Sequence, residues 1–253
     1  MNDNSFYTLL VLGGTSNIAT AYVRQRLKTL KDKKKKLCVI FVGRTLEKLE
    51  AEAKNVNAHD VKSHIIVSDL SIVDIKNVLG YQSRDIDEVI LAYGLLTQNK
   101  IAQKDSSYLK LHLNTNFVSA VLWLEALSQR FEKQGHGNVI IIGSVAGDRG
   151  RQSNYAYGAA KAGLATFVSG LQHRFSHLKK VHFLLVKPGF VDSSMTAHIK
   201  PKGALWTKPE IIARVLEKAL LKKRHTIYAP TFWYFIMQII RVIPSFILHK
   251  TRL

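Results

Sequence analysis

Two residues in the segment NYAYGAAKAG, residues 154–163, have the types and spacing needed for proton transfer. In a helix, Tyr157 and Lys161 lie one turn apart on the same face, while Tyr155 points elsewhere. A tyrosine has an ordinary pKa of about 10, and bringing it to about 7 requires roughly 4 kcal/mol of preferential stabilisation of the phenolate. A lysine ammonium about 4.5 Å away supplies roughly that much at an effective dielectric constant of about 20. The pair is energetically adequate for acid or base catalysis, although the same spacing also arises where two side chains only pack.

A serine upstream supplies the third group of a candidate catalytic set. Ser144, in IIIGSVAG, precedes Tyr157 by thirteen residues, so a loop can bring its hydroxyl beside the phenol. The serine would bond a substrate oxygen while Tyr157 gives or takes a proton and a hydride moves to or from a nicotinamide. This set predicts interconversion of a ketone and an alcohol.

Short apolar runs rich in Val and Ile alternate with longer segments of helical period. The runs predict strands at 7–13, 37–43, 63–67, 88–93, 138–143, 181–186 and 225–229. The segments between them predict crossover helices, among them 16–30, 106–134, 153–176 and 208–222. The alternation indicates an α/β fold, a doubly wound (Rossmann) three-layer sandwich with a seven-stranded parallel sheet. We expect a catalytic domain at 1–230, with its ligand site beyond the carboxyl ends of the strands, and an apolar C-terminal extension at 231–253.

The first predicted strand leads into LGGTSNIATAY, residues 12–22, where a glycine pair falls at the strand-to-helix turn. At such a turn the backbone passes close to a pyrophosphate, and the helix N-terminus supplies free N–H groups and a partial positive charge. The residues predicted to form this cradle are Gly13, Gly14, Thr15, Ser16 and Ile18. A tight structural turn would explain the glycine pair alone equally well, so its position after the first strand is what favours a nucleotide.

Two charged residues follow the second and third predicted strands. Arg44, in VGRT, falls where the adenosine ribose of a dinucleotide would lie, and a guanidinium suits a 2′-phosphate. This favours NADP (NADPH) over NAD, the alternative being a solvated arginine. Asp69, in VSDLS with Leu70 beside it, would bond the adenine edge, or else cap a helix.

The glycine-rich turn, Ser144, Tyr157 with Lys161, and then VKPGFVDSSM, in that order, resemble the short-chain dehydrogenase/reductase family over essentially the whole chain. The resemblance implies that Tyr157 is the catalytic acid or base and that Lys161 lowers its pKa and bonds the nicotinamide ribose. By the same resemblance, Ser144 positions the substrate and Asn116 holds a proton-relay water on the central helix, with Asn114 a weaker candidate. A homo-oligomer is also implied.

The resemblance extends to residues that would contact the nicotinamide half of the cofactor. These are Ala92, Gly94, Pro188, Gly189 and Val191. The chain departs from the family at two further glycines of the first turn, where it has Asn17 and Ala19, and at AYG after the fourth strand, where the family has Asn-Ala-Gly. Asn tolerates left-handed backbone and Ala is the smallest replacement, so we expect the chain to bind the cofactor despite both changes.

The GGTS and AYG variants, SVAGDRGRQSNYAYG and the apolar tail most resemble, within that family, the keto-reductase subunits of decaprenylphosphoryl-ribose 2-epimerases. That narrower resemblance implies reduction of the 2-keto sugar of a polyprenyl-phosphate-linked pentose, and an oxidase partner subunit. The alternative within the enzyme class is a soluble 3-oxoacyl thioester reductase.

The tail TFWYFIMQIIRVIPSFIL, residues 231–248, is apolar at thirteen of eighteen positions. A span is disfavoured, since Arg241 in its middle would cost roughly 2.5 to 3.5 kcal/mol. Polar residues at spacings of three or four instead predict a narrow polar stripe on an apolar helix that Pro244 kinks or ends. Such a helix can lie in a membrane surface, or it can pack against a neighbouring subunit.

The chain carries 37 Lys and Arg against 18 Asp and Glu, a formal charge of +19 that favours anionic partners. KDKKKK, residues 31–36, fits a solvated loop, with attraction to acidic lipid as the alternative. The ten histidines lack metal-ligand spacing, and Cys38 is the single cysteine. We expect a cytoplasmic protein, peripheral to the inner face of the membrane if the tail contacts lipid. A basic binding protein without chemistry is the rival hypothesis, and no nucleic-acid motif supports it.

Overall fold

The computed structural model describes residues 6–57, 60–80, 85–199 and 203–251, so Arg252 and Leu253 of the predicted extension lie outside it. The strands are β1 (Phe6–Leu12), β2 (Lys36–Gly43), β3 (Val61–Val67), β4 (Glu88–Leu91), β5 (Gly137–Ile142), β6 (Val181–Pro188), β7 (Phe190–Val191), β8 (Trp206–Thr207) and β9 (Thr226–Ala229). Seven of them form one parallel sheet in the order β3-β2-β1-β4-β5-β6-β9, and β7 pairs with β8. The predicted doubly wound α/β fold is confirmed.

The helices cover both faces of the sheet. They are α1 (Asn17–Asp32), α2 (Leu46–Asn55), α3 (Ile75–Leu79), α4 (Asn99–Ala102), α5 (Ser106–Leu113), α6 (Ser119–Gln134), α7 (Tyr155–Arg174), α8 (Pro209–Leu221), α9 (Phe232–Val242) and α10 (Ser245–Leu248). The predicted continuous helix at 106–134 is interrupted, because a π-helical segment, Asn114–Val118, joins α5 to α6. Three-residue 3₁₀ turns follow β5 and β7, at Val145–Gly147 and Ser194–Thr196.

The alternation of side chains along β1 shows why both faces of the sheet are buried. Leu9 and Val11 face the layer that contains α1 and α8, whereas Leu10 and Leu12 face the layer that contains α6 and α7. All four are fully buried, as expected for a parallel strand between two helical layers. The packed core on each side of the sheet therefore fixes its carboxyl-terminal edge and positions the loops there.

A charged cluster closes the amino-terminal edge of the sheet. The guanidinium of Arg26 in α1 lies 3.1 Å from the Glu88 carboxylate of β4 and 2.9 Å from that of Glu217 in α8. The hydroxyls of Tyr7 and Tyr22 donate hydrogen bonds to Glu88, at 2.8 and 2.6 Å. These contacts tie α1 and α8 to the sheet at the end opposite the loops that follow the strands.

The C-terminal helix α9 packs one face on the domain and exposes another. Trp233 and Met237 are buried against Val145, while Phe235 and Ile239 are each 65% exposed. Arg149 donates to two backbone carbonyls at the end of α9, at 3.3 and 3.4 Å, which fixes the helix to the loop after β5. Among the helices described, none is both long and apolar enough to cross a bilayer.

Candidate active site

The carboxyl ends of β1, β2, β4, β5 and β6 surround a cavity of about 630 Å³. It opens where the strand order reverses between β1 and β4, the usual ligand position in a doubly wound sheet. The predicted site residues that line it are Gly13, Thr15, Ser16, Ile18, Arg44, Asp69, Leu70, Ala92, Gly94, Ser144, Tyr157, Lys161, Pro188, Gly189 and Val191. Gly14 and Asn116, also predicted as site residues, do not line it.

The two glycines of the first turn have different tasks. Gly13 has a φ of +98°, and a Cβ added to it would lie 2.8 Å from the backbone nitrogen of Tyr93, so a side chain is excluded on both counts. A Cβ on Gly14 would instead lie 2.7 Å from Leu49 of α2. Gly14 therefore allows α2 to pack behind the turn, and Gly13 shapes the cavity wall.

The two residues that replace glycines of the first turn are accommodated differently. Asn17 is the first residue of α1 and does not have a positive φ, so its tolerance of left-handed backbone is not used there. Its Oδ1 accepts hydrogen bonds from both the backbone N–H and the hydroxyl of Ser194, each at 2.9 Å. Ala19 is fully buried in the core. Asn17 thus links the first turn to the loop after β7.

Arg44 and Asp69 lie together at one end of the cavity. Asp69 Oδ1 accepts hydrogen bonds from the backbone N–H and the hydroxyl of Ser71, at 2.9 and 2.8 Å. Burial raises the pKa of Asp69, but these hydrogen bonds and the charge of Arg44 outweigh burial, so the pKa is lowered. Asp74, not Asp69, caps helix α3. An ionised carboxylate and an exposed guanidinium therefore line this end.

Ser144 and Tyr157 are brought together by close packing of α7 on the turn after β5. A Cβ on Gly158 would lie 2.7 Å from the carbonyl oxygen of Ala146, and one on Gly147 would meet the backbone of α7 at 2.7 Å. This approach brings the Tyr157 hydroxyl close to Ser144, whose side chain acts to lower the pKa of Tyr157. The Ser144 hydroxyl also accepts a hydrogen bond from Ala146 N–H at 3.1 Å.

Lys161 is buried beside Tyr157 and only 4% exposed. Its Nζ donates to the carbonyl oxygen of Ile142 at 3.0 Å and lies 5.8 Å from the centre of the Tyr157 ring. Burial lowers the pKa of Lys161 to about 8. Burial raises the pKa of Tyr157 to about 12, although the hydrogen bond from Ser144 acts in the opposite direction. The expected lowering of the tyrosine pKa by Lys161 is not found, because desolvation disfavours the charged form of both groups.

The side chain of Asn116 fixes a loop and does not face the cavity. Its Oδ1 accepts from the backbone N–H of Leu95 at 2.9 Å, and its Nδ2 donates to the Leu95 carbonyl at 2.8 Å. A Cβ on Gly94 would lie 2.7 Å from that Oδ1 and 3.9 Å from Lys161 Nζ, so the bare glycine lets both side chains approach. Asn114 donates to the Ser71 carbonyl at 3.1 Å, on another loop.

Helix α9 supplies part of the cavity wall. Trp233 lies so close over Gly189 that an added Cβ would overlap its indole ring. Phe190 stacks on Trp206 at 5.3 Å between ring centres and meets the edge of Trp233 at 5.5 Å. The loop after β6 and the C-terminal tail therefore form one aromatic wall.

Sequence reasoning missed several polar residues that line the cavity, among them Arg151, Asn154 and Trp233. Arg151 and Asn154 lie between Ser144 and Tyr157 in the sequence, and that position was a usable signal. No local signal marks Trp233, since its place in the wall depends on how the tail folds back. Metal-binding clusters are not found in the described parts of the chain.

Relatives of the chain are oxidoreductases. An uncharacterized oxidoreductase of Mycobacterium tuberculosis is 33% identical over 162 residues, which span 64% of this chain and 64% of that protein. One of Streptomyces coelicolor is 29% identical over 249 residues, or 94% of this chain and 92% of its own.

Solved structures show the same fold at low identity. A short chain dehydrogenase from Burkholderia cenocepacia in complex with NADP has a TM-score of 0.75 at 17% identity, covering 98% of both chains. One from Sphingobium yanoikuyae with NADPH has a TM-score of 0.79 at 18% identity, covering 97% of this chain and 96% of its own. The sequence pattern of the short chain dehydrogenase family matches residues 7–204. The protein therefore belongs to the short-chain dehydrogenase family.

Proposed function

We propose that the protein reduces a ketone to an alcohol, with NADPH as the hydride donor and Tyr157 as the proton donor. The observation that carries this proposal is the meeting of Ser144, Tyr157 and Lys161 in the same cavity as the first glycine turn. A bound reduced nicotinamide supplies the hydride. The residues present fit such a cofactor, because one cavity of about 630 Å³ is lined both by the glycine turn after β1 and by Tyr157 and Lys161.

The nucleotide end of the cavity is suited to phosphate. Ser16, the residue before α1, and Asn17 and Ile18 of its first turn line the cavity, and among the described residues no side chain caps this helix. Its first N–H groups and its dipole would therefore bind a pyrophosphate. Arg44 would bind a 2′-phosphate with its planar guanidinium, which supports NADPH over NADH.

The raised pKa of Tyr157 supports reduction over oxidation. With a pKa of about 12, the phenol holds its proton at neutral pH and can donate it to a developing alkoxide. Ser144 would bond the same oxygen and orient it. Lys161 would hold the ribose near Tyr157 and would place a positive charge close to the phenolate that forms.

For the substrate, we propose the keto sugar of a polyprenyl-phosphate-linked pentose, with a 3-oxoacyl thioester as the alternative. The exposed apolar face of α9, which includes Phe235, Ile239 and Val242, supports a lipid-linked substrate. The same helix contributes Trp233 to the cavity wall, so a membrane surface at α9 would lie next to the site entrance. In a soluble thioester reductase, the exposed apolar face of α9 would have no function.

The direct test is NADPH oxidation against lipid-linked keto sugars, soluble ketones and 3-oxoacyl thioesters, with and without anionic lipid vesicles. We expect turnover of a ketone, and Tyr157→Phe should lower kcat by about 10² to 10⁴-fold because the proton donor is lost. NADPH binding, measured by fluorescence, should be retained in that variant.

Tyr155→Phe is the matched control, because Tyr155 is exposed two residues away and its hydroxyl accepts a hydrogen bond from Gln103. It should keep the wild-type kcat. Equal activity of Tyr157→Phe and wild-type protein would contradict the proposal, as would NADPH oxidation by none of the ketones. Steeply salt-dependent nucleic-acid binding without turnover would favour the rival hypothesis of a basic binding protein.

A further inference from the structure

The wall of the cavity opposite the nucleotide end contains polar groups that lack partners. Arg151 follows the turn after β5, Asn154 immediately precedes α7, and Trp233 comes from α9. Each of these three side chains lines the cavity and has a buried polar atom without a hydrogen-bond partner among the described residues: Arg151 Nε, Asn154 Oδ1 and Trp233 Nε1. Buried polar groups in folded proteins are almost always paired, so three unpaired atoms whose side chains line one cavity can bond a ligand there.

The charge of Arg151 is not neutralised by the protein. Burial lowers the pKa of its guanidinium, and the attraction of Asp148 offsets this only in part. Asp148 is engaged elsewhere, since Lys187 pairs with its Oδ1 and the Tyr228 hydroxyl donates to its Oδ2 at 2.7 Å. Arg151 forms no salt bridge within the described parts of the chain. Its positive charge is therefore available to a ligand.

The acidic side chain of the described lining lies at the nucleotide end of the cavity and not at this wall. Asp69 is the one acidic side chain in the described lining, and it lies with Arg44 and Ser71 beyond β2 and β3. Arg151 instead comes from the segment between β5 and α7, on the other side of β1 from β2 and β3. It lines the cavity with Ser144 and Tyr157, on the side where the reacting carbonyl would bind.

The orphaned atoms also define what else the ligand must carry. Asn154 Oδ1 is an acceptor, so it requires a donor such as a hydroxyl group. Trp233 Nε1 is a donor only, and it would bond a hydroxyl or a charged oxygen. Asn154 lies one turn before Tyr157 at the start of α7, so a ligand hydroxyl that donates to it would be close to the reacting carbon.

We propose that the ketone substrate is an anion, with a phosphate or carboxylate group bound by Arg151 and a hydroxyl group bound by Asn154 Oδ1. Trp233 Nε1–H is the second donor of this subsite. The proposal rests on the proposed function, because it assigns the part of the substrate that does not react. Arg151 positions the substrate and takes no part in proton transfer.

The test compares three ketones of one carbon skeleton: a neutral hydroxyketone, its phosphate monoester and the corresponding carboxylate. In Arg151→Gln, kcat/KM for the anionic ketones should fall by about 10 to 100-fold, mostly through KM, because a charge-assisted hydrogen bond is lost. kcat/KM for the neutral ketone should stay within about twofold. Arg151→Lys should recover part of the loss, since it restores the charge without the planar guanidinium.

Arg214→Gln is the matched control, because it removes the same charge from an exposed position of α8 that does not line the cavity. It should leave the preference for anionic ketones intact. Phosphate and carboxylate ketones distinguish the two sources of charge by their relative KM values.

Equal losses for neutral and anionic ketones in Arg151→Gln would overturn the proposal, as would a raised KM for NADPH alone. Calorimetric binding of the phosphate monoester requires no turnover, so it separates this inference from the proposed reaction. Binding that Arg151→Gln weakens would support the subsite even if no ketone is reduced. Binding unaffected by that substitution would contradict it.

Discussion

At the amino-terminal end of the sheet, the guanidinium of Arg26 lies between the carboxylates of Glu88 and Glu217, at 3.1 and 2.9 Å. At the carboxyl end, Arg151 has no carboxylate partner in the described chain, and Lys161 Nζ is bonded to a backbone carbonyl. Both ends of the sheet bury positive charge. At the amino-terminal end this charge is paired with carboxylates, whereas at the carboxyl end it has only hydrogen bonds or no partner.

This difference separates a structural task from a functional one. Removing one partner of a buried ion pair is strongly destabilising, because the other charge is left buried and unpaired. The amino-terminal cluster therefore fixes how α1 and α8 pack. An unpaired buried charge raises the free energy of the folded protein by itself, and such groups concentrate at sites where a ligand compensates them. Substitutions at the amino end should therefore change stability, and those at the carboxyl end should change binding and its dependence on pH.

The largest expected effect on stability comes from Arg26→Met. This substitution leaves two buried carboxylates without their cation and should lower the free energy of unfolding by about 3 to 5 kcal/mol in urea denaturation. The KM for NADPH of the remaining folded enzyme should not change. Lys28→Met, on an exposed part of the same helix, should change stability by less than about 0.5 kcal/mol. Equal losses in the two variants would show that the cluster does not stabilise the fold.

A smaller effect, confined to binding, is expected for Arg44→Ala. Loss of the guanidinium should raise the KM for NADPH by about 10 to 100-fold while the KM for NADH changes little, because only the 2′-phosphate requires the cation. Steady-state kinetics with both cofactors measures the ratio. Lys48→Ala, an exposed charge on α2 outside the cavity, is the control. An equal rise in the KM for NADPH and for NADH would mean that Arg44 does not bind the 2′-phosphate.

The sequence was sufficient for the parallel sheet and for the position of Tyr157, because both depend on short-range patterns. Each strand is an apolar run bounded by turn residues, and Tyr157 and Lys161 are one helical turn apart. The helices α3 and α4, of five and four residues, are too short to show a helical period. The π-helical segment is invisible in the pattern, because its sequence, NTNFV, contains no proline or glycine that would mark a change in the helix.

The contacts of Asn17 and Trp233 were not predictable for a different reason. Asn17 bonds Ser194 across 177 residues of sequence, and Trp233 reaches Gly189 only because the tail folds back over the loop after β6. Such contacts depend on the packed fold, and no periodic pattern in the sequence marks them. The pKa of Tyr157 was misjudged on the same grounds, since burial outweighs a neighbouring charge and burial is a property of the whole structure.

A further effect is expected on the pH dependence of stability. Burial lowers the pKa of Lys161 from 10.5 to about 8, so the unfolded chain binds more protons than the folded protein between those values. The contribution of this residue to stability therefore rises with pH from about 8, by at most about 1.4 kcal/mol per pH unit. Tyr157 acts in the opposite sense only above a pH of about 10, where its raised pKa leaves the folded state with more protons. Urea unfolding of wild-type protein and Lys161→Met from pH 8 to 10 isolates the lysine. The wild-type free energy of unfolding should rise relative to that of the variant across this range, and parallel curves would mean that Lys161 keeps its ordinary pKa in the folded protein.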